Sequence, residues 1–275
     1  MDKSGFTYTG SDGCRLSASV LADNASGKNV DTVVVMLHGG GPDHHSMEPL
    51  ARSLTAGMRI LLPDIRGYGR SICCDPARHT WAQYVDDLFT LIDHVGARRA
   101  VVVGAGIGTT IALRAAKARP DQVAGAVLIS VEDIENDAAK AKETRLLQQF
   151  ADDVRRKGLE ETWGPILAHF PPVIGRLVRE AIPRADPESI AAAAAIGYDR
   201  SFRSVEELRD VLAPMLIVPG TDFHHPRRVA EDLARVMPNA ELASISFDAS
   251  IRDAQDMASR LMEPINSFLC LLGPT

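Results

Sequence analysis

The stretch Val101-Val-Val-Gly-Ala-Gly-Ile-Gly-Thr109 runs three β-branched residues into alternate glycines, and Thr109–Ala118 continues with helical spacing. A continuous apolar run of this kind suits a strand buried on both faces. The glycines permit a turn tight enough for a helix to start where the strand stops. Working outward from Ala100–Val103, further apolar runs recur at Val33–Leu37, Ile60–Leu62, Gly125–Ile129 and Met215–Val218, with a weaker one at Leu242–Ile245. Amphipathic patterns at Met47–Ala56, Thr80–Val95 and Pro226–Val236 lie between them. Upstream, Phe6–Thr9 and Arg15–Leu21 flank a Gly10–Gly13 turn signal and predict an antiparallel pair, followed by a polar loop over 22–31. Strand and helix alternate, which predicts an α/β fold: an eight-stranded, mostly parallel sheet with helices on both faces.

One segment breaks the alternation. Ile134 to Val205 carries helical patterns, several prolines and the alanine run Ala191–Ala195, with no strand signal. The chain thus divides into a first core part at 1–133, a helical cap at 134–205 and a second core part at 206–275. A cap there is expected to cover the C-terminal edge of the sheet, where open α/β sheets bind ligands.

The 275 residues are 45% hydrophobic and 24% charged, an ordinary globular balance. Thirty Lys and Arg against thirty-six Asp and Glu leave a formal charge of −6, which argues against nucleic acid or an anionic membrane as partner. No run approaches the roughly 18 apolar residues of a membrane span. MDKSGFTYTG has no apolar stretch of a signal peptide. Cys14, Cys73, Cys74 and Cys270 are too few and scattered for a disulfide framework. The expectation is a cytoplasmic enzyme or binding protein, with no cofactor implied and the oligomeric state left open.

Four short stretches fall at the ends of the expected strands: His38-Gly-Gly-Gly-Pro42, Leu62-Pro-Asp-Ile-Arg-Gly-Tyr-Gly-Arg-Ser71, Val103-Gly-Ala-Gly-Ile-Gly108 and Pro219-Gly-Thr-Asp222 before Pro226. In this order they resemble the α/β-hydrolase superfamily over nearly the whole chain. The resemblance implies a Gly-x-Ser-x-Gly elbow, an oxyanion held by backbone N–H groups there and on the His-Gly loop, and a chain order of serine, acid, histidine. Here the elbow reads Gly104-Ala-Gly-Ile-Gly108, so Gly106 stands at the nucleophile position. The acid fits Asp222. The histidine belongs near Phe247–Arg252, yet none occurs from Pro226 to Thr275. A serine-esterase mechanism is therefore not expected, and a serine restored at 106 is expected to find no base. Over Val102–Ala116 the elbow is also locally similar to the N-myc-downstream-regulated proteins, hydrolase-fold members without a working triad. Asp64 and Arg66 read, by the same resemblance, as a structural pair.

Five of the eight histidines cluster in two loops, His38, His44 and His45 after the third strand and His224 and His225 after the seventh. A base from a new chain position, His44, His45 or His225, oriented by Asp222 or Asp133, is the catalytic expectation. His38, Gly39, Gly40, Gly106 and Ile107 are the expected substrate-binding and oxyanion positions, with a small-molecule ligand between core and cap. The leading function is non-covalent acid/base chemistry on a small carbonyl compound: decarboxylation, cyclisation, lyase cleavage or water-mediated hydrolysis. The alternative is a non-catalytic hydrolase-fold protein that binds a ligand or partner. Two weaker readings are a dinucleotide turn at Gly104, Gly106 and Gly108 with Glu132 or Asp133, and a metal held by Asp222 with the loop histidines. The third glycine of such a turn is replaced by Thr109, and the histidine spacing matches no short ligand motif, so no metal is expected.

Overall fold

A computed structural model describes residues 2–22, 31–54, 59–134 and 136–273. Eight strands form one sheet: β1 (Asp2–Thr9), β2 (Arg15–Ala22), β3 (Thr32–Leu37), β4 (Ile60–Pro63), β5 (Arg99–Ala105), β6 (Val123–Ile129), β7 (Met215–Val218) and β8 (Ala240–Leu242). Their order is β1-β2-β4-β3-β5-β6-β7-β8. The β1–β2 hairpin is antiparallel and β2 meets β4 antiparallel; every later pairing is parallel. β3 and β6 are buried along their whole length, as their unbroken apolar runs require.

Two helical layers cover the sheet. On one face α2 (Trp81–His94), α3 (Ile107–Ala118) and α8 (Arg227–Val236) pack through Leu88, Phe89, Ile111 and Leu233. On the other, α1 (Glu48–Ser53) and α9 (Ala254–Leu272) pack through Leu50, Met257, Leu261 and Phe268. Each such side chain, fully removed from water, contributes roughly 1.5–3 kcal/mol. Thr80 starts α2 by accepting the N–H of Gln83 at 3.1 Å.

Between β6 and β7 the described residues form α4 (Asp137–Lys157), α5 (Leu159–Leu167), α6 (Pro172–Ala181), α7 (Pro187–Ala193) and short 3-10 turns, with no strand. Arg184, in one of those turns, reaches back to Asp43 with N–O distances of 2.6 and 3.1 Å.

Several elements differ from expectation. The last strand is Ala240–Leu242 rather than 242–245, because the Ala243 N–H makes the final bond to β7, at Ile217 O, and the chain then leaves the sheet. The helix expected over Met47–Ala56 is Glu48–Ser53 after a 3-10 turn at His44–Met47; its expected last residues, 55 and 56, lie outside the described residues, as do 23–30 of the polar loop. α9 has no counterpart in the sequence reading, because Pro264 interrupts its apolar stripe; the stripe nonetheless holds, at Met257, Leu261, Ile265 and Phe268. No helix of the described residues is long and apolar enough to cross a membrane.

Candidate active site

β5 ends at Ala105, Gly106 follows at φ 50° and ψ −119°, and α3 starts at Ile107. That backbone conformation strongly favours glycine. It is held from three sides. The Gly106 N–H donates to Ile129 O at 3.2 Å, while the Thr109 N–H and hydroxyl donate to Gly106 O at 2.8 and 2.6 Å. The flanking glycines have a packing cause. A Cβ at Gly104 would overlap Gly108 O, and one at Gly108 would lie 2.8 Å from the Leu37 Cβ. Close contact between helix and strands thus accounts for the alternate glycines without a pyrophosphate.

A side chain at 106 would begin 3.5 Å from Gly39 Cα and 3.7 Å from His225 Nε2. His225 comes from the loop after β7, three residues beyond Asp222. Asp222 Oδ1 accepts the N–H groups of His224 and His225 at 2.9 and 3.1 Å, which curls the loop back on itself. His225 Nδ1 lies 2.9 Å from both oxygens of Asp222. Burial pushes the Asp222 carboxyl up, but the hydrogen bonds it accepts from His225 Nδ1 and the two backbone N–H groups outweigh it and hold it below the ordinary carboxylate range. An ionised carboxylate only accepts, so Nδ1 carries the proton and Nε2 turns its lone pair toward Gly106. The two side chains are 12% and 10% exposed.

Around this pair lie further groups. Gly40 is close to both the elbow and Tyr68: a Cβ there would be 3.7 Å from Ile107 Cγ2 and from the Tyr68 hydroxyl. Burial, with the charge of Glu132 added, pushes the Tyr68 phenol up. Glu132 accepts the Thr110 hydroxyl at 2.9 Å. Burial pushes its carboxyl up as well, against the opposing pull of His225 and Thr110. Above the His-Gly loop, a Cβ on Gly41 (φ 100°) would come within 2.9 Å of Val178 and 3.1 Å of Trp163, so α5 and α6 sit directly on that loop. Phe170 stacks on His224 at 5.0 Å.

Of the expected residues, Asp222, His225, Gly39, Gly40, Gly106 and Ile107 come together here. Others do not. His38 is fully buried, its Nδ1–H donating to Gly39 O at 2.8 Å and its Nε2 accepting the Ile65 N–H at 2.9 Å; it braces the loop and cannot touch a substrate. His44 Nδ1 is 2.7 Å from Asp64, and His45 Nδ1 is 3.2 Å from Asp43, because the 3-10 turn carries both rings toward acids of its own neighbourhood. Neither is joined to Asp222. Asp133 is engaged by Arg228 at 2.6 and 2.7 Å and orients no histidine. Among the described residues no three His, Cys, Asp or Glu side chains gather as a metal site. Asp64 and Arg66 are not a pair: two residues apart on an extended turn, they point apart. Arg66 holds Asp87 at 2.7 and 2.8 Å and Asp12 at 2.8 and 3.0 Å.

Sequence reasoning weighs Glu132 only for a ribose and passes over Tyr68 and Ser130. Ser130 follows β6 at φ 59°, buried, with a hydroxyl that has no hydrogen-bond partner among the described residues. Its position directly after a buried strand is the available signal; its strained backbone is not readable.

Residues 34–252 match the family model described as Alpha/beta hydrolase family. The chain is 25% identical over 233 residues to the pimeloyl-[acyl-carrier protein] methyl ester esterase of Vibrio atlanticus, covering 79% of this chain and 86% of that protein. It is 33% identical over 98 residues to the putative carbamate hydrolase RutD of Caulobacter vibrioides, covering 36% of each. In such shorter matches the chain spans about a third of the curated relatives' length. Among solved structures, a thermophilic esterase from Thermogutta terrifontis superposes with a TM-score of 0.78 at 22% identity, covering 99% of both chains.

Proposed function

The chain belongs to the alpha/beta hydrolase family, and on that premise we propose that it is an enzyme using His225, oriented by Asp222, as a general base on a small carbonyl compound, with no covalent intermediate at the elbow. Gly106 has no atom that can attack. The family's base position near Phe247–Arg252 has no histidine. The observation that carries the proposal is the pair of distances at His225: Nδ1 held 2.9 Å from Asp222, and Nε2 lying 3.7 Å from the start of any side chain at 106.

In this reading the space beside Gly106 receives the substrate carbon or the water whose proton His225 Nε2 removes. The oxygen that gains charge faces the N–H of Ile107, in the first turn of α3 where no intrahelical carbonyl is available, and the N–H groups of Gly39 and Gly40. Two carboxyls near His225 are pushed in opposite directions, Asp222 down and Glu132 up. Such a split separates an ionised anchor from a carboxyl kept protonated to higher pH, which suits Glu132 to return the proton. The ligand sits between the core and the helical cap at 134–205, against Trp163 and Phe170.

The test uses 5-nitrobenzisoxazole, whose ring opens when a positioned base removes its carbon-bound proton. The wild-type chain is expected to accelerate the opening at least tenfold over His225→Ala. Equal rates for the two folded proteins would remove the base and leave ligand binding as the function of the fold.

A further inference from the structure

At the antiparallel end of the sheet, away from Gly106, a cavity of about 470 Å³ is lined by Gly5, Arg15, Ser19, His44, Asp64 and Arg70, among others. Its floor holds three buried side chains joined in sequence. Asp64 accepts from His44 Nδ1–H at 2.7 Å, and the Ser19 hydroxyl faces His44 Nε2 at 3.2 Å. Ser19, His44 and Asp64 are 3%, 3% and 2% exposed. Burial pushes the Asp64 carboxyl up, but the hydrogen bonds it accepts from His44 and the Arg70 N–H bring it down to about 2, so it is an acceptor only. It therefore fixes the proton on Nδ1. In the neutral ring Nε2 then accepts, and the Ser19 hydroxyl donates to it. The Asp64 anchor is itself fastened, since it also accepts the N–H groups of His44 at 3.0 Å and Arg70 at 2.9 Å. This is the connectivity that activates a hydroxyl: base beside nucleophile, and a third group orienting the base.

The space over Ser19 is open because its partner across the hairpin is a glycine. Gly5 pairs with Ser19, and a Cβ on Gly5 would lie 4.0 Å from Ser19 Oγ and 3.6 Å from Arg70 Nη1. Hydroxyl and guanidinium thus border one volume. At the rim, Arg15 and Arg70 are exposed, and among the described residues neither side chain has a carboxylate partner. Two unpaired guanidiniums at the mouth of a cavity favour an anion, best a carboxylate held by their planar forks.

We propose that this cavity is a second reactive site, in which Ser19, activated by His44 and Asp64, takes the acyl group of a small ester bearing a free carboxylate. Ser19 Oγ bonds to the ester carbonyl carbon as its proton passes to His44 Nε2, and the developing oxyanion faces Arg70. Collapse breaks the carbon–oxygen bond of the ester, and the alcohol leaves with the proton from His44. Water then cleaves the acyl-serine through the same relay, giving the acid and restoring Ser19.

The experiment incubates the full chain with 4-nitrophenyl hydrogen glutarate, quenches in acid, and locates the glutaryl group by peptide mass mapping. One glutaryl group on Ser19 is expected, absent in Ser19→Ala. Gly5→Val, which fills the cavity but leaves the relay intact, should slow acylation at least tenfold, with circular dichroism confirming the fold. Neutral 4-nitrophenyl acetate should acylate Ser19 at least tenfold more slowly than the half-ester. An unlabelled wild-type chain, a label persisting in Ser19→Ala, or a Gly5→Val rate equal to wild type would overturn the site. Equal rates for the two esters would overturn the anionic substrate class. Because the label is mapped to Ser19, the result stands apart from any outcome at Gly106.

Discussion

His225 Nε2 lies 3.7 Å from the point where a Cβ on residue 106 would begin, although the histidine reaches the elbow from the loop after β7 rather than from the chain beyond β8. Its other nitrogen is held 2.9 Å from Asp222. A histidine thus stands beside the elbow by an unexpected route, and the proposed role has specific consequences for mutation.

Removing the base should cost the elimination reaction about 10²-fold or more in His225→Ala, the usual range for a positioned general base. Asp222→Asn keeps the side-chain shape but presents an amide that can point an N–H at Nδ1, favouring the tautomer with its proton on Nε2. It should also lose at least tenfold, without a change in fold. A full rate in Asp222→Asn would show that the carboxylate does not set the tautomer.

Gly106→Ser should create a reactive serine, reversing the expectation from the position of the histidine in the chain. The Cβ that would carry the new hydroxyl starts 3.7 Å from His225 Nε2. A fluorophosphonate should label residue 106 in this variant, and His225→Ala in the same background should abolish that label. The strained backbone at φ 50° should lower stability by about 1–3 kcal/mol, read from urea unfolding. A folded Gly106→Ser variant left unlabelled at position 106 would mean that Nε2 and the elbow do not meet in solution.

Acid should destabilise the fold through a buried histidine. His79 is buried, with Nδ1 2.9 Å from the Tyr84 hydroxyl and Nε2 2.9 Å from Cys73 O, and burial pushes it down from 6.5 to about 4. Between those values the unfolded chain binds a proton that the native chain refuses, so stability present above pH 6.5 is lost as pH falls toward 4. From pH 7 to pH 5 the loss from this group should be about 2 kcal/mol. Urea midpoints at the two pH values measure it, and His79→Gln should flatten the difference; an unchanged slope in the variant would assign the effect elsewhere.

Ser130→Gly should stabilise the protein. It relieves a non-glycine residue at φ 59° and deletes a buried hydroxyl that has no partner among the described residues. Set against the greater freedom of glycine in the unfolded chain, the net gain should be about 1 kcal/mol. Ser130→Ala removes the hydroxyl but keeps the strain, so urea midpoints of the two variants separate the causes. A loss of stability in both would show that the hydroxyl is satisfied in solution.

The sheet was legible because β3, β5 and β6 are unbroken apolar runs, and the elbow because only a glycine-rich turn fits between β5 and α3. Asp222 and His225 were legible as residue types at a loop in the right place. Side-chain direction was not. Whether His44 turns to Asp64 or to Asp222 depends on how a 3-10 turn meets β2 and the loop after β4, contacts between residues far apart in the chain. The same limit explains Arg66, whose partners Asp12 and Asp87 lie on a hairpin turn and on α2. α9 was hidden for a simpler reason: a proline inside a helix reads as a breaker, and only burial of its stripe overrides that.

Asp222 and His225 lie on one short curl of chain, where a triad ordinarily assembles its acid and base from separate loops. When that curl shifts, carboxylate and imidazole travel together, so the base keeps its tautomer and its heading throughout. Displacement of the loop changes only how far Nε2 stands from Gly106. Reach and orientation are thereby uncoupled, and in the proposed mechanism a ligand that draws the curl inward meets an imidazole already oriented by Asp222.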